Sequence, residues 1–119
     1  MKAFADSVKF ALMGVRAAWS GRNFKIQLTA ACIVIICGLA IGITATEWLV
    51  VFIFTGLILS AEIMNSAIEQ LVDLVSPEFH PAAGKVKDLA AGAVLVLAFF
   101  SAVAGLVIFI PYLLNIITE

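Results

Sequence analysis

The sequence predicts an all-α integral membrane protein: three transmembrane helices preceded by an N-terminal amphipathic surface helix. Three observations predict it. Hydrophobic residues make up 64% of the 119-residue chain and charged residues only 13%. Soluble domains average about 45–50% and about 25%, so this chain has too few charges to cover a water-facing surface. Its uncharged runs approach or exceed the roughly 20 apolar residues that a spanning helix needs. Its seven Lys and Arg residues fall in two regions only. The length fits one domain, residues 1–119. The net charge of −1 provides no basic field for nucleic acid, and so apolar a composition excludes disorder.

The surface helix is read over about residues 2–20. Phe4, Val8, Ala11, Leu12, Val15 and Trp19 recur at steps of three or four, with Lys2, Asp6, Lys9 and Arg16 mainly opposite. That pattern suits a helix lying in the membrane interface, Trp19 at headgroup level. The first span, about 26–43, carries no charge and lies too far from the N-terminus to be a signal peptide. Within it, Cys32 and Cys37 point to different helix faces and read as small packing residues. Gly38-Leu-Ala-Ile-Gly42 is a small-xxx-small pattern that lets helices approach closely.

The second span, about 48–72, starts at Trp48, an anchor at the outer interface, and is uncharged until Glu62. Ser76-Pro77 ends it, because the residue before proline avoids helical geometry. Pro81 and Gly84 extend the loop that follows. The third span, about 89–117, is uncharged, and Pro111 should kink it or end it early. Lys and Arg occur only before the first span and at Lys85 and Lys87. Three spans place both regions on one side, cytoplasmic by the positive-inside rule, with the C-terminus outside.

The second span carries a polar stripe. Asn65, Ser66, Glu69 and Asp73 follow Glu62 at offsets of 3, 4, 7 and 11, which share one narrow helix face. A charge at the centre of a bilayer helix costs roughly 2.5–3.5 kcal/mol on insertion scales, so such a residue is a functional candidate. At about 1.5 Å per residue, Glu62 lies about 21 Å from Trp48 and Glu69 about 32 Å. With a hydrocarbon core of about 30 Å, Glu69 falls at the cytoplasmic boundary and Glu62 about two turns inside it. A sheltered carboxylate suits proton abstraction from an alcohol. A carboxylate near water suits a hard cation such as magnesium. The alternative reading is a set of interhelical hydrogen bonds that hold an oligomer together. Beyond the stripe, Lys87-Asp88 stands before the third span, where the lysine either meets a phosphate as a point charge or serves as a membrane anchor. His80 has no neighbouring ligands to form a metal site.

These residues resemble a known family. Glu62-Ile-Met-Asn-Ser-Ala-Ile-Glu-Gln-Leu-Val-Asp73 is similar to the signature of the small bacterial diacylglycerol kinase and undecaprenol kinase family. Lys85-Val-Lys-Asp-Leu-Ala-Ala-Gly-Ala-Val94, Gly14-Val-Arg-Ala-Ala-Trp19 and Asn23-Phe-Lys-Ile26 extend the likeness over nearly the whole chain. The resemblance implies a homotrimeric, magnesium-dependent kinase of the inner membrane. Such an enzyme passes the γ-phosphate of ATP to a lipid alcohol, diacylglycerol or undecaprenol, at the cytoplasmic face. It implies Glu62 as catalytic base, Asn65 as its polar neighbour, and Glu69 as a magnesium ligand at the ATP site. It further implies nucleotide or phosphate contacts at Phe10, Glu78, Phe79, His80, Lys87 and Asp88. No Gly-rich phosphate loop is present, as befits this family. Pro77, His80 and Phe109-Ile-Pro111 look closer to the undecaprenol-using branch.

One departure stands out. Where the family places a second metal-binding glutamate, this chain has Gly21, and Gln27 is neutral where many relatives carry an acid or histidine. Either Asp88 or Asp73 takes over, or water completes the shell, or the protein is an impaired homologue acting in binding or assembly. A channel or proton pathway is disfavoured, because no second span carries a matching ionisable stripe.

Overall fold

The computed structural model describes residues 1–118. Every regular element among them is helical: α1 Lys2–Ala18, α2 Arg22–Ile41, α3 Ala45–Val75 and α4 Pro81–Thr118. α2, α3 and α4 are long and apolar enough to cross a membrane. The 31 residues of α3 and 38 of α4 give helices about 46 and 57 Å long. Both exceed the hydrocarbon core of about 30 Å.

The joints follow from local chemistry. Gly42 ends α2 in the left-handed region, φ 77°, which glycine enters without a Cβ clash. Its N–H and that of Ile43 both donate to Gly38 O, at 2.9 and 3.3 Å. Thr44 then opens α3 with a reciprocal cap: Glu47 N–H donates to Thr44 Oγ1 at 3.3 Å and Thr44 N–H donates to Glu47 Oε2 at 2.8 Å. The signature Thr-x-x-Glu is a capping box. α3 stops at Val75, before Ser76-Pro77, as the sequence predicts.

One expectation is corrected and a second is narrowed. Pro81 and Gly84 do not extend the loop; they belong to the first turn of α4. Proline fits a first helical position, where no N–H is needed. His80 Nδ1 accepts from Ala82 N–H at 3.1 Å, and Gly84 N–H donates to His80 O at 3.0 Å. The loop therefore shrinks to Ser76–His80, and Lys85, Lys87 and Asp88 ride on a helix. Nor does Pro111 end α4, which runs on to Thr118. In a spanning helix a proline is accommodated by local adjustment and neighbouring groups.

α3 is the central element, packed chiefly against α4 and next against α2. The result is a slab of 59 × 44 × 20 Å. The best-packed cluster lies at the end away from the Ser76–His80 loop, where Ile43, Val51 and Ile108 are buried among Val34, Trp48, Phe109 and Tyr112. There Tyr112 O–H donates to Glu47 Oε2 at 2.7 Å, tying the end of α4 to the start of α3. Trp48 stacks on Phe52 at 5.3 Å and lies over Gly38, where a Cβ would come within 3.0 Å of Trp48 Cη2 and Ile43 Cδ1. The small-xxx-small pattern thus serves the chain itself: Gly38 makes a seat for Trp48, and Gly42 makes a turn. Cys32 and Cys37 are free thiols. Large apolar side chains such as Ile36, Leu39, Leu95 and Val107 stay exposed on the single chain, as expected of a surface solvated by lipid.

Candidate active site

α3 sets the site. Its stripe turns Glu62 and Asn65 toward the first turns of α2 and the middle of α4. They are 3% and 4% exposed, the only buried polar or charged residues among those described. Both line a cleft of about 220 Å³, walled by Asn23, Ile26 and Gln27 from α2 and by Ala91, Val94, Leu95 and Ala98 from α4. Alanine at 91 and 98 leaves room that larger side chains would fill.

One turn further on, Asn65 Nδ2 donates to Glu69 Oε1 at 3.3 Å. A carboxylate only accepts, so this bond fixes which way the amide faces. Asn65 Oδ1 is left buried without a partner among the described residues. Buried acceptors are nearly always satisfied by a donor, water or ion. An orphaned oxygen beside an exposed carboxylate fits magnesium, which takes one or two protein carboxylates and completes its octahedron with waters and substrate phosphates. It does not make a protein-only cage: among the described residues no three acidic, His or Cys side chains gather. Neither Asp73 nor Asp88 gathers with Glu69 in a cluster of three ligand side chains among the described residues. Asp73 is paired with Lys87 instead, and Asp88 is exposed and joins no acidic cluster. Gly21 itself caps α2 in an extended conformation, φ −74°. A Cβ there would lie 3.2 Å from Ala18 O.

The polar cleft adjoins an apolar one. A second cavity of about 420 Å³ runs between α2, α3 and α4 past Ala31, Val34, Val51, Ile58, Ala102 and Ile108, and it shares Gln27 and Ala98 with the first. From Val50 to Ile58 it follows α3 for about 12 Å.

The other expected contacts are dispersed. Lys87 binds Asp73 across the α3–α4 joint. His80 caps α4. Phe10, Glu78, Phe79 and Asp88 are exposed and do not line the Glu62 cleft. Sequence reasoning passed over Asn23 and Gln27 as cleft walls, although two amides four residues apart on an apolar helix share a face. It also passed over Ser101, whose buried hydroxyl has no partner among the described residues and lines the apolar cavity. Nothing local signals the Tyr112–Glu47 bond, which joins residues 65 apart.

A three-span helical protein with buried carboxylate chemistry above an apolar channel is a membrane-embedded enzyme for lipid. The prokaryotic diacylglycerol kinase family matches residues 9–109, and the chain belongs to it. The chain is 46% identical over 92 residues to an undecaprenol kinase of Bacillus subtilis, covering 77% of this chain and 75% of that one. It is 35% identical over 104 residues to a diacylglycerol kinase of Helicobacter pylori (84% and 80%). It is 31% identical over 84 residues to the diacylglycerol kinase of Escherichia coli K12 (70% and 69%). The chain is therefore a multi-pass membrane lipid kinase, and a kinase of this family uses ATP.

Proposed function

We propose that the chain transfers the γ-phosphate of ATP, with magnesium, to the hydroxyl of a membrane lipid at the cytoplasmic face, and that undecaprenol is its preferred acceptor. The observation that carries this reading is the burial of Glu62 and Asn65 at the head of the apolar channel. The acceptor hydroxyl meets the Glu62 carboxylate while the hydrocarbon chain lies in the adjoining cavity. Glu62 takes the hydroxyl proton as the oxygen attacks phosphorus, a role for a base within hydrogen-bond reach and shielded from bulk water. Asn65, its amide nitrogen held by Glu69, presents Oδ1 to the reacting groups. Glu69 and Asn65 would hold magnesium, which would supply positive charge to neutralise the phosphate oxygens. Lys87 meets the phosphates as a compact cation.

Phe10, Glu78, Phe79, His80 and Asp88 border the nucleotide. They lie apart within one chain, and a homotrimer brings them to a neighbour's site through the exposed apolar helix faces. The basic residues keep the N-terminus and the Ser76–His80 loop cytoplasmic and the C-terminus outside. Identity of 46% to an undecaprenol kinase against 35% and 31% to two diacylglycerol kinases supports the choice of acceptor. A second reading, binding without efficient transfer, is favoured by Gly21, where the family resemblance implies a second metal-binding glutamate.

The test is phosphate transfer from labelled ATP in mixed micelles, with undecaprenol and diacylglycerol offered separately. Undecaprenol should lead in kcat/KM by about tenfold or more, and Glu62→Gln should lower kcat by about 10²–10⁴-fold. Glu69→Gln should raise the magnesium requirement. Preference for diacylglycerol would reverse the acceptor assignment. Absence of transfer to either lipid would leave the binding role.

A further inference from the structure

We propose that Asp73 is a positioning residue for phosphoryl transfer: it fixes the Lys87 ammonium on the reactive face of α3, one helical turn beyond Glu69. The inference rests on the reading of Lys87 as the phosphate-binding cation and names the group that aims it.

Asn65, Glu69 and Asp73 follow one another at intervals of four residues on α3, so they share a face. Asp73 lies about 6 Å beyond Glu69 along the axis. Lys87 Nζ donates to Asp73 Oδ1 across the joint between α3 and α4. The short loop makes this reach available, because α4 already begins at Pro81 and brings Lys87 back alongside the end of α3. Lys85, two residues earlier, is exposed and forms no ion pair among the described residues. Positions two apart on a helix do not face the same way, so only one of the two lysines can turn to the stripe, and Asp73 selects Lys87.

As a staple the pair contributes little. The two side chains are 37% and 65% exposed, and ion pairs so open to water add little to stability. As a guide it does more. A free lysine side chain samples many rotamers and loses that freedom on binding phosphate. Lys87 is ordered beforehand by Asp73. Its ammonium has three donors, and the aspartate uses one, leaving two for phosphate oxygens. The pair also neutralises Asp73, a carboxylate that would otherwise repel the nucleotide.

The experiment measures KM and kcat for ATP and for lipid with the full-length protein in mixed micelles. Asp73→Asn should raise KM for ATP about threefold to fivefold, with kcat within about twofold and KM for lipid unchanged. Asp73→Glu should recover most of that loss, and Lys85→Gln should leave every constant unchanged. Asp73→Lys combined with Lys87→Asp keeps an ion pair but should not restore transfer. Restored transfer in that double variant, an unchanged KM for ATP in Asp73→Asn, or a rise in both KM values with a lowered Tm would overturn the proposal in favour of a simple staple. Lys87→Gln separates the two levels. If it leaves KM for ATP unchanged, the phosphate role of Lys87 falls, and the positioning role falls with it. If it raises KM while Asp73→Asn does not, only the positioning role of Asp73 falls.

Discussion

At the scale of the residue, the most consequential position is one without a side chain. Gly21 stands where the family resemblance implies a second metal-binding glutamate, and no three-ligand cluster takes its place among the described residues. Asp73 is held by Lys87 and Asp88 joins no cluster. Gly21→Glu is therefore expected to lower the magnesium concentration for half-maximal transfer by about tenfold, about 1.4 kcal/mol, read from a magnesium titration at saturating ATP. The backbone at φ −74° admits any L-residue, but the new Cβ sits 3.2 Å from Ala18 O, so a small drop in Tm should accompany the gain. An unchanged magnesium requirement would mean that a carboxylate at this position does not reach the metal. The stripe itself was legible in the sequence, because Glu62, Asn65, Glu69 and Asp73 obey helical spacing. Their partners were not. That Asp73 turns to Lys87 depends on how α3 and α4 meet, whereas the Asn65–Glu69 bond is a contact within α3 itself.

At the scale of the element, the helices were legible and two of their ends were not. Proline at 81 read as a breaker, yet it occupies the one helical turn that welcomes it, with His80 supplying the cap. Pro111 read as a kink or an early end, and α4 passes through it to Thr118. Gly38 and Gly42 read as a contact between helices, whereas a tryptophan ten residues after Gly38 fills the notch and Gly42 makes the turn. In each case the residue's intrinsic preference was right and its partner, supplied by tertiary structure, decided the use. The clasp between α3 and α4 away from the loop gives a test. Tyr112→Phe removes the O–H that donates to Glu47 and should lower Tm by roughly 4 °C, followed by tryptophan fluorescence at Trp48. Transfer kinetics should be unchanged, because the clasp lies at the opposite end from Glu69. A change in kcat without a change in Tm would show that the two ends are coupled.

At the scale of the whole molecule, composition alone announced a membrane protein, and the slab with its exposed apolar faces agrees. The adjoining clefts were not legible, since they arise where three helices bring together residues as far apart as Gln27 and Phe109. The length of α3 has a further consequence. Its carboxylates are spaced along a rod whose height in the bilayer is set by where lipid ends and water begins. Hydrophobic mismatch costs fractions of a kcal/mol per Å and is met by tilt or by deforming the bilayer. The protein thereby becomes a gauge of the membrane it serves. In vesicles of graded acyl length, transfer should peak at one thickness and fall on both sides. Thinner bilayers would flood Glu62 with water, and thicker ones would draw Glu69 away from the nucleotide. A flat profile would mean that the bundle, rather than the surrounding lipid, sets the height of its own chemistry.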